Sequence, residues 1–352
     1  MSTNRANPLS ELARLGFESL SETMPKLDLL VDAVGDWGRS ALSYLAKTQS
    51  PDQALNGLLR LAEQQPKQIA KLLSSEDSGV RLCRLLGASD GILDLLVRRP
   101  ELLDQLRRPA AIPEKFSVER TDRSALRRSY REQFFAIADF DLAQEDARAC
   151  YQVVAKALAD LTDQTLEAAL EVGKAELLAD GRISQDDADQ TALAVIAMGK
   201  TGAQELNYIS DVDVIYVADG EAENTVEVAT KLATRLAQVI GEYGDEPPLW
   251  EVDPNLRPEG KSGALVRTLP AHRAYYEKWA EPWEFQALLK ARFAAGDASL
   301  GERYIATIKP MIWAYPERSR IVESARHLRR RVLEHLPANE QHWNLKLGRG
   351  GL

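Results

Sequence analysis

Cysteine and histidine are scarce in this chain, with two and four residues among 352. Cys83 and Cys150 lie far apart in helical patterns, so they read as buried thiols rather than a disulfide or a reactive pair. His272, His327, His335 and His342 form no HExxH pattern and have no cysteine companions, which argues against zinc. Long apolar runs are missing too. No segment has the length to cross a bilayer, and the polar start MSTNRANPLSELARLG lacks the apolar core of an export signal. A soluble, cytoplasmic protein without a membrane partner is expected. An excess of basic residues is also lacking. Lys and Arg number 44 against 53 Asp and Glu, a net charge of -9. An extended nucleic-acid surface needs the opposite balance, so basic residues are expected to act locally.

The length allows two or three domains, and 45% hydrophobic with 28% charged residues is ordinary for a globular chain. About the first hundred residues read as short helices. Ser50-Pro51-Asp52-Gln53 has the form of a capped helix start, followed by Leu55, Leu58, Leu59 and Ala62 on one face. Ile69, Leu72 and Leu73, then Val80, Leu82, Leu85 and Leu86, continue the pattern. Nothing there carries chemistry, and a helical support or docking module is expected. Pro109 to Thr121 reads as a linker. Helices are then expected over 122–138, with Arg123, Arg127, Arg128 and Arg131 on a solvated face, and over 146–178.

The chemistry concentrates between Ala194 and Val217. An apolar run, Leu193 to Ala197, ends in Gly199-Lys200; a polar turn follows, then Ser210-Asp211-Val212-Asp213 and a second apolar run. The first run has no polar face and suits a buried central strand. In the second, Asp211 and Asp213 point to one side, about 7 Å apart along a strand. Carboxylates so placed can hold divalent cations, and cation pairs about 4 Å apart serve phosphoryl transfer. A helix over 225–243 and a third strand, Leu249 to Asp253, complete a strand–helix–strand unit that brings Glu251 and Asp253 on one face. Pro254 and Pro258 end that strand, and the loop Leu256 to Gly263 carries Arg257 and Lys261. One long helix is expected over 271–295, with Lys290 and Arg292 on it, and a tail helix over 319–336. The chain stops in Lys346-Leu347-Gly348-Arg349-Gly350-Gly351-Leu352, which has the look of a truncation.

Several stretches, in order, resemble one family. They are Gly199-Lys200-x-Gly202, Glu205-Leu206-Asn207, Ser210-Asp211-Val212-Asp213, Val252 to Gly260, Trp283 to Arg292 and Lys346-Leu347-Gly348-x-Gly350-Gly351. The pattern is similar to bacterial glutamine synthetase adenylyltransferase, of the polymerase-beta-like nucleotidyltransferases, and runs from about Leu85 to the end. Ala203, Gln204 and Asn255 depart from it, standing where a second glycine, a basic residue and often an arginine are usual. The family motif also continues past the last glycines with Arg-Asp and an acidic residue, which this chain does not contain.

The resemblance implies an α+β, mostly helical protein with a small mixed β-sheet nucleotidyltransferase core between helical N- and C-terminal segments. Its expected parts are a helical module over 1–121, a nucleotidyltransferase domain over 122–316 and the start of a truncated helical region over 317–352. Family members carry two nucleotidyltransferase domains in tandem. The features here are closest to the N-terminal one, which removes AMP from a tyrosine of glutamine synthetase by phosphorolysis and releases ADP. Asp211, Asp213 and Asp253 are then the expected catalytic residues and ligands of Mg²⁺ or Mn²⁺, with Glu251 a possible extra ligand. Gly199, Lys200, Ser210, Arg257, Lys261 and Lys290 are the expected contacts to nucleotide and phosphate. Glutamine synthetase and the PII signal protein are the expected partners. Addition of AMP or UMP to a protein, or a non-catalytic docking role, are the alternatives.

Overall fold

The computed structural model of the chain describes residues 8–314, 318–340 and 342–348. The polar start, the expected domain boundary at 316 and the glycines Gly350 and Gly351 lie outside them. Two units separate by their internal contacts, 1–116 with 129–157 and 117–128 with 158–352.

The first unit is helical. Its first seven helices are α1 (Pro8–Arg14), α2 (Leu20–Val34), α3 (Trp37–Leu45), α4 (Pro51–Gln64), α5 (Pro66–Leu73), α6 (Glu76–Ala88) and α7 (Asp90–Arg98). A 3-10 stretch, Pro100–Arg107, follows. Leu55, Leu58, Ile69, Leu72, Leu82 and Leu86 are all buried in one core, as their helical spacing requires. The expected cap at Ser50 is not formed. The Asp52 carboxylate is used instead, accepting from the Glu18 and Ser19 amides and so tying α4 to the start of α2.

Arg81 lies fully inside this unit. Its guanidinium makes a two-pronged contact with the buried carboxylate of Asp139 and donates to the Leu106 and Arg108 carbonyls. Asp139 belongs to α8 (Arg123–Ala143), and the chain passes between the units within α8 and again within α9 (Ala147–Ala179).

The second unit is built on a sheet of five strands. They are β1 (Ala192–Ala197), β2 (Val212–Asp219), β3 (Val252–Asp253), β4 (Val266–Thr268) and β5 (Arg292–Gly296). The order is β3-β2-β1-β5, with β4 also on β2. β1 runs antiparallel to β2 and to β5, whereas β3 and β4 run parallel to β2. The mixed sheet follows from connection length. A short turn lets β1 and β2 pair antiparallel, while α12 (Thr225–Gly241) supplies the crossover that a parallel neighbour needs.

One expected helix is overturned. Residues 271–295 form α13 (Leu269–Lys278), α14 (Pro282–Leu288) and then β5. Pro282 starts a new helix with a capping box between Glu281 and Glu284, and the chain beyond Leu288 is drawn into the sheet. The reason lies in β1. Ala194, Val195, Ile196 and Ala197 are fully buried, so this strand needs a pairing partner on each side, and β5 supplies the second. The expected third strand is also shorter than Leu249 to Asp253, with only Val252 and Asp253 pairing.

Ile215 and Val217, on the Asp213 side of β2, pack with Tyr276, Phe285, Leu300, Tyr304 and Ile308 from α13, α14 and α15 (Ala298–Ala314). On α8, Arg127 is buried, not solvated. It donates to the Val239, Glu242 and Glu246 carbonyls, closing the C-terminal end of α12, while Arg123 pairs with Glu176 and Glu242. A last helix, α16 (Arg318–His335), packs on α14. Among the described residues no helix is long and apolar enough to cross a membrane.

Candidate active site

Three carboxylates meet at the start of β2. Asp211 precedes the strand and Asp213 is its second residue, two positions on and therefore on the same side. β3 lies parallel beside it in a register that pairs Asp213 with Asp253. As a result each of Asp211, Asp213 and Asp253 offers an oxygen, and these three oxygens lie within 4.8 Å of one another. Glu251 is not in this group; its carbonyl accepts from the Val212 amide at 3.0 Å and opens the β2–β3 pairing.

The turn after β1 is shaped around Asp213. The Met198 amide donates to the Asp213 carbonyl at 2.9 Å, and the short helix α11 (Gly199–Gly202) follows. Gly199 has φ +53°, and a Cβ there would sit 2.3 Å from Oδ2 of Asp213. Only glycine allows both the backbone and the carboxylate to occupy this place. Gly202 is as confined, since a Cβ would lie 1.9 Å from the Lys290 carbonyl.

Crowding of like charge changes the chemistry of Asp213. Burial, then the neighbouring Asp211 and Asp253, push its ionisation up to about 6, while Lys346 and Lys200 oppose the rise. Asp253 is further held by the Asn255 amide, which donates to Oδ1 at 2.7 Å.

The six expected phosphate contacts are placed differently. Gly199, Lys200 and Ser210 stand at the carboxylates, and Lys200 donates to Ser210 Oγ at 3.0 Å, which in turn donates to Asn207. Arg257 is buried and donates to the carbonyls of Pro254, Lys261 and Gly263, so it closes the 254–263 loop on itself. Lys261 is exposed on that loop. Lys290 forms an ion pair with Glu205 at 2.8 Å across the α11 turn.

Sequence reasoning missed the brace behind the turn. Arg292 donates to both oxygens of Asp163 at 2.6 and 3.0 Å, and to the Thr201 and Gly202 carbonyls. Gln204 donates to Asp160, and the Gly296 amide donates to Glu167. Asp160, Asp163 and Glu167 line one side of α9 at helical spacing. Arg292 was visible in a motif; its partners were not, because acids on a long helix look like any solvated face.

A set of hard oxygen donors of net negative charge suits Mg²⁺ or Mn²⁺. The fit has a further sign in the structure: three carboxylates held this close repel one another, and a cation relieves what burial and repulsion impose on Asp213.

Known proteins agree on one family. The family model of glutamate-ammonia ligase adenylyltransferase matches residues 79–307. A bifunctional glutamine synthetase adenylyltransferase/adenylyl-removing enzyme of Leifsonia xyli subsp. xyli is 42% identical over 371 residues, covering 98% of this chain and 37% of that protein. Its namesake in Streptomyces avermitilis is 41% identical, covering 99% and 36%, and that of Mycobacterium avium is 40% identical, covering 88% and 31%. The chain thus spans about a third of the length of the relatives it matches. The family match takes in β1, α11, β2, β3 and all three aspartates, and with relatives this similar over nearly its full length, the chain belongs to the glutamate-ammonia ligase adenylyltransferase family.

Proposed function

We propose that this chain removes AMP from an adenylylated tyrosine of glutamine synthetase by phosphorolysis. The observation that carries the proposal is the convergence of Asp211, Asp213 and Asp253. In the reaction an oxygen of inorganic phosphate forms a bond to the AMP phosphorus, the bond from that phosphorus to the tyrosine oxygen breaks, and ADP departs. The phenolate, with a pKa of about 10 in its free form, takes up a proton.

Both reactants are anions, so a site built of bare carboxylates would repel them. Asp211, Asp213 and Asp253 would hold Mg²⁺ or Mn²⁺, which supplies charge compensation and alignment for an in-line displacement. Ser210 and the amides of the Gly199 turn bind nucleotide phosphate. Lys200, beside Ser210, offsets developing charge. Arg257 acts by fixing the loop that follows Asp253, and Lys261 and Lys290 are the further cations proposed to draw in phosphate. Glutamine synthetase is the proposed substrate protein and PII the proposed regulator, both on the strength of the family resemblance.

The test is release of ADP from adenylylated glutamine synthetase on addition of phosphate. Asp211→Asn and Asp213→Asn should each abolish it, and dialysis against EDTA should do so reversibly. Near-normal turnover in either variant rejects the assignment. Incorporation of AMP from ATP with no response to phosphate would assign the transfer direction instead.

A further inference from the structure

Along α12 two hollows lie side by side, and Thr234 and Gln238 border both. The first, of about 330 Å³, is apolar. Ala233 and Ala237 of α12, Val252 and Pro254 on either side of Asp253, and Leu265 before β4 line it. Glu242 stands at its border, where its carboxylate is taken by Arg123 at 2.8 Å. The second, of about 320 Å³, is cationic. Arg182, Lys231 and Arg235 line it, and among the described residues no carboxylate does.

The cations are held in place. Gly181 has φ +64°, and the Arg182 amide donates to the Leu177 carbonyl at 2.9 Å, so the chain leaves α9 in a tight turn. Lys231 ties that turn to α12 by donating to the Arg182 carbonyl at 3.2 Å. Gly173 lets α9 and α12 close on each other, since a Cβ there would lie 3.1 Å from Arg235 Cγ. Two of the three charges are balanced. Arg235 pairs with Glu176 and Asp180, and Lys231 with Glu227. The Arg182 guanidinium and the Gln238 side-chain amide have no hydrogen bond or ion pair among the described residues. One positive charge is therefore left over, on a planar fork whose geometry matches a carboxylate, in a chain of net charge -9.

We propose that α12 carries a binding site for a small amphipathic carboxylate, with the head on Arg182 and Gln238 and the apolar body across Thr234 in the hollow shared with β3. Each hollow has the volume of a small-molecule site, which starts at about 300 Å³. The site is separate from Asp211, Asp213 and Asp253, and it stands whatever reaction they serve. It meets them only through β3, where Val252 and Pro254 flank Asp253.

The experiment is calorimetry on the whole chain with octanoate as the probe, beside acetate, which lacks the body, and octanol, which lacks the head. Octanoate should bind one site per chain, and acetate and octanol about tenfold more weakly or worse. Arg182→Gln should weaken octanoate about tenfold and leave octanol unchanged. Without probe it should melt as wild type does, because the guanidinium holds nothing in the free protein. Ala237→Phe fills the apolar hollow and should abolish octanoate binding. Octanoate that binds wild type no better than acetate or octanol overturns the inference. So does equal octanoate binding by wild type and Arg182→Gln, or by wild type and an Ala237→Phe variant that melts normally.

Discussion

Replacing Asp213 with asparagine should make the native protein more stable while it destroys the site. An ordinary aspartate ionises near 3.8 and Asp213 near 6, so at neutral pH the ionised native state bears a cost of about 3 kcal/mol before screening. Solvent reaches part of this carboxylate, which reduces the figure to roughly 1 kcal/mol. The sign follows from which state holds the proton. Because the native pKa is raised, the cost is absent below 3.8, grows as the pH climbs to 6 and is complete above it. Asp213→Asn is neutral at every pH and close to the same shape. In low salt without divalent cation, near pH 7.5, it should raise the melting point of the unit that holds it by about 2–4 °C. At about pH 4 the gain should vanish, since the wild-type carboxyl is then mostly protonated in the native state. Millimolar Mg²⁺ should stabilise wild type by mass action and leave the variant unmoved. Thermal melts at the two pH values, with and without Mg²⁺, read all of this. A variant no more stable than wild type at neutral pH, or one whose advantage is the same at pH 4, would refute the idea that repulsion and burial act on Asp213.

Gly199→Ala places a methyl 2.3 Å from Asp213 Oδ2 on a backbone of φ +53°, so it should cost about 1–3 kcal/mol and remove Mg²⁺-dependent ADP binding, read by melting and calorimetry. In the first unit, Asp139→Asn removes the buried partner of Arg81 and leaves only the exposed Asp77 carboxylate, 2.9 Å from the guanidinium, so it should cost about 3 kcal/mol in a urea titration of that unit. Substituting both residues, Arg81→Met with Asp139→Leu, should recover much of that loss, because no unpaired charge then remains inside. A double variant as unstable as the single one would show that the guanidinium matters for the Leu106 and Arg108 carbonyls it also holds.

Local patterns were legible where one periodicity ruled. The helices of the first unit were readable from leucines at three- and four-residue steps, and α9 and α12 fall close to their expected spans. β1 and β2 were readable because an unbroken apolar run and an alternating one sit a short turn apart. The failures came where two patterns overlapped. The residues after Leu288 keep helical spacing yet pair as β5, since β1 has an open edge to fill. The four arginines of α8 looked solvated, but Arg127 is buried against the end of α12, and nothing in its own neighbourhood of sequence points there.

What the sequence alone determined is the chemistry available: two aspartates on one side of a strand, a glycine turn before them and a third acid after a crossover helix. Spacing along a chain fixes which way neighbouring side chains point, so that much is local. The tertiary structure decided which charges meet. It set Asp253 beside Asp213 rather than Glu251, tied Arg257 into its own loop and paired Lys290 with Glu205. Strand register and helix packing make those choices, and they join residues too far apart in the chain for any spacing rule to connect.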